Sequence, residues 1–346
     1  MRVLVTGHTG YIGTRLVPIL INAGHDVSGL DTDLFRGCTF TGQMPNIPHV
    51  CKDVRDVSKD DLTGFDAIIH LAALSNDPLG DYNPSLTEDI NEKASVRIAR
   101  LAREAGVSRF LFASSCSNYG AAGNDFLNES APLNPVTPYG VSKVKVEKEL
   151  ANLADENFTP VYLRASTAYG LSPRIRFDLV LNNLTAWAHT TGKVHLKSDG
   201  SPWRPVVHIE DISRAYLALL EAPAEVVSNR PFNIGTTTEN YQVKDLAEIV
   251  ASVVPDCEVE IAPDAAPDER CYRVDCSRIA LEIPGFKPQW TAERGATELY
   301  EAYKAIGLTL EEFEGQRFKR IAHVKHLIDN GKLDLNLRWT EGAVAA

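Results

Sequence analysis

Cysteine is sparse and unpaired in this sequence. Its six residues (Cys38, Cys51, Cys116, Cys257, Cys271 and Cys276) are scattered over 346 positions, with no CxxC and no histidine at metal-ligand spacing. A zinc site or a disulfide framework is therefore not expected, and no metal is called for. Free thiols belong in a reducing compartment. No apolar run approaches the roughly 20 residues of a membrane span, and the opening MRVLVTG enters a strand pattern at once, which leaves no room for a signal peptide. The expectation is a cytoplasmic protein with no membrane partner. Positive charge is also in short supply: 35 Lys and Arg stand against 46 Asp and Glu, for a net charge of −11. That argues against nucleic acid as a partner, and any anion site must be built from a few residues.

What is present is an ordinary globular composition, 44% hydrophobic and 23% charged, enough to build a large core without covalent staples. The first 170 residues alternate short apolar runs (Val3 to Thr6, Asp26 to Leu30, Ala67 to Leu71, Arg109 to Ala113, Pro160 to Leu163) with helical patterns (Tyr11 to Ala23, Ser85 to Ala105, Pro138 to Ala154). That alternation is the βαβ signature of an α/β fold, a Rossmann-type doubly wound parallel sheet. Beyond Gly170 prolines break the pattern into shorter elements, which predicts a smaller mixed α/β lobe. Val206 to Gly235 reads as helix then strand and is expected to return to the first lobe. The predicted organisation is thus a dinucleotide domain over 1–170 with 206–235, and a substrate lobe over 171–205 and 236–346. In the C-terminal stretch, Phe318, Ile321, Val324 and Ile328 fall near helical spacing, a stripe expected to serve as core or lobe contact.

Between the first strand and first helix stands Gly7-His8-Thr9-Gly10-Tyr11-Ile12-Gly13. Glycines spaced GxxGxxG at such a junction let the turn close, let backbone approach a pyrophosphate, and let helix pack on strand, while the helix N-terminus offers oriented N–H groups. Asp31 ends the second strand some twenty residues on, where a carboxylate can accept from the adenosine ribose hydroxyls and repel a 2′-phosphate, so NAD is expected over NADP. Arg36 is the one nearby residue that argues otherwise. His8, inside the loop, is expected to face solvent or the cofactor phosphates. His70 and His208, in apolar stretches, read as internally bonded structural residues.

Tyr139 and Lys143 stand at i and i+4 near the start of a predicted helix. They share a face, and an ammonium beside a phenol favours the phenolate, which makes a general base. Upstream, the serine-rich Ser114-Ser115-Cys116-Ser117 follows a predicted strand, so its hydroxyls emerge at the carboxyl edge of the sheet where ligands bind.

Taken in order and spacing, the glycine loop, Asp31, the serine-rich strand end and YxxxK resemble the extended short-chain dehydrogenase/reductases. Within them, the chain resembles the NAD-dependent sugar-nucleotide epimerases and dehydratases of the UDP-galactose 4-epimerase type, over nearly its whole length. The resemblance implies NAD as cofactor, held by Gly7, Gly10, Tyr11, Ile12, Gly13, Asp31, Asp53, Val54, Leu71, Ala72, Ala73, Tyr139 and Lys143. It implies Ser115 as the catalytic hydroxyl with Tyr139 and Lys143 as the base pair. It implies a nucleotide-sugar substrate met by Ser75, Asn76, Ser115, Cys116, Thr167, Asn183, Leu184, His195, Arg204 and Arg270. Arg204, in the stretch WRPVVH, takes the diphosphate, for which a guanidinium fork is suited. It also implies a homodimer paired through the helix of Tyr139 and the long helix before it.

Departures narrow the activity. Dehydratases of this family carry an Asp-Glu pair where this chain has Cys116-Ser117, and the decarboxylating relatives carry a glutamate aligned with Ser117. The family's asparagine before its VYG stretch is Thr167 here, and its C-terminal arginine is Ala265, with Arg270 or Arg273 as substitutes. The expected activity is C4 epimerisation of a nucleotide sugar through a 4-keto intermediate. A nucleotide-sugar 4-ketoreductase or another NAD(P)-dependent oxidoreductase is the alternative, and a dinucleotide-binding protein without chemistry lies behind both.

Overall fold

A computed structural model describes residues 1–75, 83–196, 198–261 and 271–340. The strands are β1 (Arg2–Thr6), β2 (Asp26–Asp31), β3 (His49–Cys51), β4 (Ala67–His70), β5 (Arg109–Ser115), β6 (Ala121–Leu127), β7 (Thr159–Ala165), β8 (Thr167–Tyr169), β9 (Lys193–Leu196), β10 (Trp203–His208), β11 (Arg230–Ile234), β12 (Asn240–Gln242), β13 (Glu258–Ile261) and β14 (Cys271–Val274). The helices used below are α1 (Gly13–Asn22), α2 (Ala94–Glu104, entered through a π-helical stretch Glu88–Lys93), α3 (Pro138–Ala151), α4 (Val180–Thr191), α5 (Ile209–Glu221), α6 (Val243–Val253), α7 (Ala292–Ile306) and α8 (Arg320–Asp329).

Seven strands pair in the order β11-β7-β5-β4-β1-β2-β3, all parallel. The chain reverses direction across the sheet after β3, which opens a crevice at the carboxyl ends of β1 and β4. Alternation along each strand divides the apolar residues between two faces. Val3, Val5, Ile69, Leu111, Val161 and Leu163 pack with Leu16, Val17 and Leu20 of α1 and Ile212, Ala215 and Leu219 of α5. Leu4, Leu30, Ile68, Phe110, Phe112 and Tyr162 pack with Ile98 and Ala99 of α2 and Val146 and Leu150 of α3. Burial on both faces explains why these strands read as continuous apolar runs.

A third apolar cluster joins α4, α6, α7 and β9 through Leu181, Leu184, Leu246, Val250, Leu299, Tyr303 and Val194. Beside it lies a small sheet of β12-β10-β8, with the pairs β13-β9 and β14-β6. Beyond residue 236 the chain also packs on the large sheet. Cys276, Ile279, Ile283 and Phe286 join one face of the large sheet, and Val324, Leu327, Leu333 and Leu337 join the other. The reason is that the helical stripe of α8 meets an apolar surface left open beside β2, where no crossover helix covers Leu30, Leu34 and Val54. Among the described residues no helix is long and apolar enough to cross a membrane, and no group of His, Cys, Asp and Glu could hold a metal ion.

Candidate active site

The glycine loop closes on itself, with Gly10 N–H donating to the Gly7 carbonyl at 3.0 Å. Its tightness dictates residue type. A Cβ on Gly13 would stand 2.4 Å from the Gly7 oxygen, and one on Gly7, which has φ +75, would stand 2.8 Å from the Ala72 nitrogen. No side chain caps α1; Thr14 N–H turns back to the Gly10 carbonyl at 3.1 Å and Arg15 N–H to that of Ile12 at 3.0 Å, and the positive end of the helix dipole faces the glycine loop. Gly7, Gly10, Tyr11, Ile12, Gly13, Asp31, Asp53, Val54, Leu71, Ala72, Ala73 and Ser75 all line one open crevice of about 1090 Å³. Such a floor of glycine, backbone amide and small apolar groups fits a dinucleotide.

Asp31 is oriented by the loop it serves: its Oδ2 accepts from Thr9 N–H at 3.1 Å and its Oδ1 from Asp33 N–H at 2.9 Å. Arg36 turns to Asp33 at 3.3 Å. Asp53 is held by Arg55 at 2.6 Å; burial works against its charge, and Arg55 nonetheless keeps the carboxyl below its usual range. His8 corrects an expectation. It is 3% exposed, its ring lies where a side chain on Gly29 would stand, and it sits 5.5 Å from His49. It is a filler beneath the loop, made possible by the missing side chain on β2. Burial lowers its pKa. His70, by contrast, is bonded as expected, to Thr6 at 2.7 Å and Ser95 at 2.9 Å.

Tyr139 and Lys143 ride on α3. Thr137 caps the helix by accepting from Gly140 N–H at 3.1 Å, and Pro138 fills the first turn. Gly140 lets that turn press against the end of β5, since a Cβ there would meet the Ser117 carbonyl at 3.2 Å. Tyr139 and Ser115 are thereby brought to the same edge. Lys143 is 2% exposed, with its Nζ 5.3 Å from the centre of the Tyr139 ring and 4.7 Å from that of Phe112. Burial pushes its ammonium down to about 7, against the attraction of Glu147. Ser115 Oγ accepts from Ser117 N–H at 3.1 Å and stands 2.8 Å from the Ser117 hydroxyl, which donates to it.

Two residues that sequence reasoning passed over complete the arrangement. Glu147, one turn beyond Lys143, is 6% exposed and takes a two-pronged bond from Arg164 of β7, at 3.0 and 2.6 Å. It also accepts from Ser114 and from Asn118 at 3.2 Å, so a single carboxylate ties α3 to the ends of β5 and β7. The i+4 rule that found Lys143 reaches Glu147 as well. Arg176, from the run Pro173-Arg174-Ile175-Arg176, lines the crevice, donates to Ser75 Oγ and carbonyl at 3.0 and 3.1 Å, and is held by Asp178 at 2.6 Å. Tyr139 lies near enough to add to the field on it.

The substrate-side expectations fare differently. Cys116 is fully buried, with its thiol 3.1 Å from the Arg164 carbonyl and pushed up to about 12 by burial, so it cannot touch a ligand. Leu184 is 4% exposed inside the third cluster. Asn183 donates its amide to the Phe177 carbonyl at 2.8 Å. Its neighbour Asn182 makes the link to the cofactor loop, donating to Tyr11 Oη at 3.2 Å and accepting from Gly170 N–H at 2.9 Å. Thr167 stands half-buried on β8 opposite Val206. Arg204 is 9% exposed on β10 and donates to the Trp203 carbonyl at 2.8 Å. His195 packs edge-on against Trp187 at 4.8 Å and 3.4 Å from Glu260. Asn76 and Arg270 lie outside the described residues.

Comparison with known proteins agrees with this geometry. A family model described as the NAD dependent epimerase/dehydratase family matches residues 3–235. A UDP-glucose 4-epimerase of Mycolicibacterium smegmatis is 30% identical over 318 residues, covering 88% of this chain and 99% of its own. Among solved structures, MoeE5 in complex with UDP-glucose and NAD superposes with a TM-score of 0.74 at 26% identity, covering 88% of this chain and 99% of its own. An NAD-dependent NDP-hexosamine 5,6-dehydratase, TunA, shares the fold with a TM-score of 0.78 at 24% identity, covering 88% of this chain and 98% of its own.

Proposed function

The chain belongs to the NAD-dependent epimerase/dehydratase family, and on that premise we propose that it epimerises a nucleotide sugar at C4 through a transient 4-keto sugar. The observation that carries this reading is the donor-acceptor order at the strand end. Ser115 Oγ accepts twice from Ser117, which leaves its own hydrogen to be donated to a substrate oxygen. Tyr139, as phenolate, takes the proton of the 4-hydroxyl and later returns it. Lys143 favours the phenolate by charge, and Ser115 steadies the reacting oxygen as it passes between hydroxyl and carbonyl. NAD, when bound, supplies the hydride acceptor for the first half and the hydride donor for the second. Gly7 to Gly13 would hold its diphosphate and Asp31 its adenosine ribose.

Elimination of water needs an acid beside the sugar, and the residues after Ser115 are the buried Cys116 and the hydroxyl of Ser117. That disfavours a dehydratase. The diphosphate of the substrate falls to Arg204, with Thr167, Ser75 and His195 as candidate sugar and base contacts. We further take the protein to be a cytoplasmic homodimer paired through α2 and α3, which sedimentation would check.

Incubating purified protein with UDP-, GDP-, CDP- and dTDP-sugars, without added reductant, and following products by NMR tests the activity. Epimer formation with no net change in NADH is the expected result. Product that appears only as NADH is consumed would replace the epimerase with a ketoreductase.

A further inference from the structure

The crevice that takes the dinucleotide has a wall that neither the glycine loop nor the family pattern accounts for. Arg320, the first residue of α8, and Leu337, beyond its end, line the same space as Gly7, Asp31 and Asp53. They are more than 260 positions away in sequence, yet the segment that carries them is fastened at several points around the adenosine end. Trp339 Nε1 donates to the Thr32 carbonyl at 2.7 Å, next to Asp31. Arg338 pairs with Asp56 at 2.5 Å and lies 4.0 Å from Asp53. Between them Leu333 and Leu337 are buried in the sheet's cluster, and Leu337 holds φ +57, a conformation that persists in a leucine only where the surroundings over-determine it.

The charge distribution across this wall is uneven. Arg174 is matched by Asp33 at 2.9 Å and Arg176 by Asp178 at 2.6 Å. Arg320 rests its guanidinium over the Phe35 ring at 4.0 Å and, among the described residues, forms no ion pair with a carboxylate. Burial and the nearby Arg176 draw its pKa down to about 10. A half-buried cation without an ion pair among the described residues, lining the same crevice as the glycine loop, is a place made for an anion.

We propose that residues 320–340 form a strap over the adenosine end of the crevice and that Arg320 is a further cofactor-binding residue, taking the diphosphate of NAD from the side opposite the glycine loop. Gly7 to Gly13 offer that diphosphate N–H groups; Arg320 offers the full positive charge. The strap also buries the dinucleotide under Leu337, so it retards release. This deepens the cofactor assignment and is independent of which sugar the enzyme uses.

The test is binding, read without sugar. Full-length protein stripped of cofactor is titrated with NADH by fluorescence and with ADP and adenosine by calorimetry, for wild type, Arg320→Gln, Arg320→Lys and Arg338→Gln. Expected for Arg320→Gln is a loss of about 10- to 100-fold for NADH and ADP, the worth of a charge-assisted bond, with adenosine unchanged. Arg320→Lys should recover part of that loss, and Arg338→Gln, at the strap's rim, should speed NADH release severalfold. Unaltered NADH and ADP affinity in an Arg320→Gln protein with wild-type melting would overturn the proposal. So would a loss confined to NADPH, which would put Arg320 at a 2′-phosphate. Because turnover plays no part, failure of the epimerase reading would leave these results standing.

Discussion

The crevice lined by the glycine loop and the polar cluster where β5 ends and α3 begins are built on opposite plans. On the proposed cofactor side, recognition rests on backbone: a loop so tight that only glycine fits at Gly7 and Gly13, and a helix start that no side chain caps. On the proposed chemical side everything depends on side chains, Ser115, Tyr139 and Lys143, next to a buried polar network in which Glu147 takes bonds from Arg164 and Asn118. A backbone site tolerates sequence change except where space is absolute. A side-chain site is sensitive at every member and at the groups that hold them. Mutations should separate the halves accordingly.

The sharpest separation is at Tyr139. Tyr139→Phe removes the group that moves the proton and should lower turnover by about 10²–10⁴-fold while NADH affinity stays within about threefold, a size the cofactor half alone can supply. Steady-state kinetics and NADH titration on one preparation would check both. A parallel loss of binding would mean that the halves are not separable. Next in size is Glu147→Leu, which strands Arg164 in the interior. Breaking a buried pair from one side costs about 3–5 kcal/mol, so a fall in melting temperature of roughly 4–7 °C is expected. The exposed pair Arg100–Glu149, at 3.0 Å, is the control: Arg100→Ala should change stability by no more than about 1 kcal/mol.

On the cofactor side, Gly13→Ala places a Cβ 2.4 Å from the Gly7 carbonyl, and the backbone must give. A cost of about 1–3 kcal/mol is expected, with NADH affinity at least tenfold weaker while the positions of Tyr139 and Ser115 stay as they are. Isothermal titration measures this directly, and undiminished affinity would show that the loop has slack which the geometry denies.

This contrast also decides what could be read from the sequence. The sheet was legible because burial on both faces leaves continuous apolar runs, and the cofactor loop because steric exclusion at a strand-helix junction dictates glycine. Tyr139 and Lys143 were legible through helical spacing, and Glu147 lay within reach of that same rule. His8 was not, because its burial depends on Gly29 in the next strand, a condition shared by two positions that no local pattern records. Arg320 and Leu337 were illegible for a related reason. A helical stripe says that α8 packs on something, and only the tertiary fold says that the something borders the crevice. On the substrate side, Cys116, Asn183 and Leu184 matched positions in a pattern, but packing turned the first and last inward and spent the amide of the second on Phe177.

A pH-dependent effect belongs to Lys143. In the cofactor-free protein its folded pKa, drawn down to about 7 by burial, lies below that of the unfolded chain, near 10.4. Between these values the unfolded state binds more protons, so this group makes stability rise with pH across about 7 to 10.4, by at most roughly 1.4 kcal/mol per unit. Below about pH 7 both states carry the charge and the contribution is flat at its least favourable. Lys143→Met abolishes it, so the stability of wild type relative to the variant should climb through that window. A difference flat from pH 6 to 10 would mean that the amine is solvated.

The smallest effect is expected at Cys116, which separates a residue near the chemistry from one that takes part in it. Its thiol adjoins Ser115 in sequence, yet it points into the core, donates to the Arg164 carbonyl and is held protonated by burial. Cys116→Ala removes that weak donor and leaves a void of one sulfur, for about 1 kcal/mol, or about 1–2 °C in melting temperature. Turnover should stay within twofold, since Ser115 keeps both bonds from Ser117. A tenfold drop in turnover without a stability change would bring Cys116 back into the mechanism. The boundary between the two halves would then have to be drawn one residue deeper into the sheet.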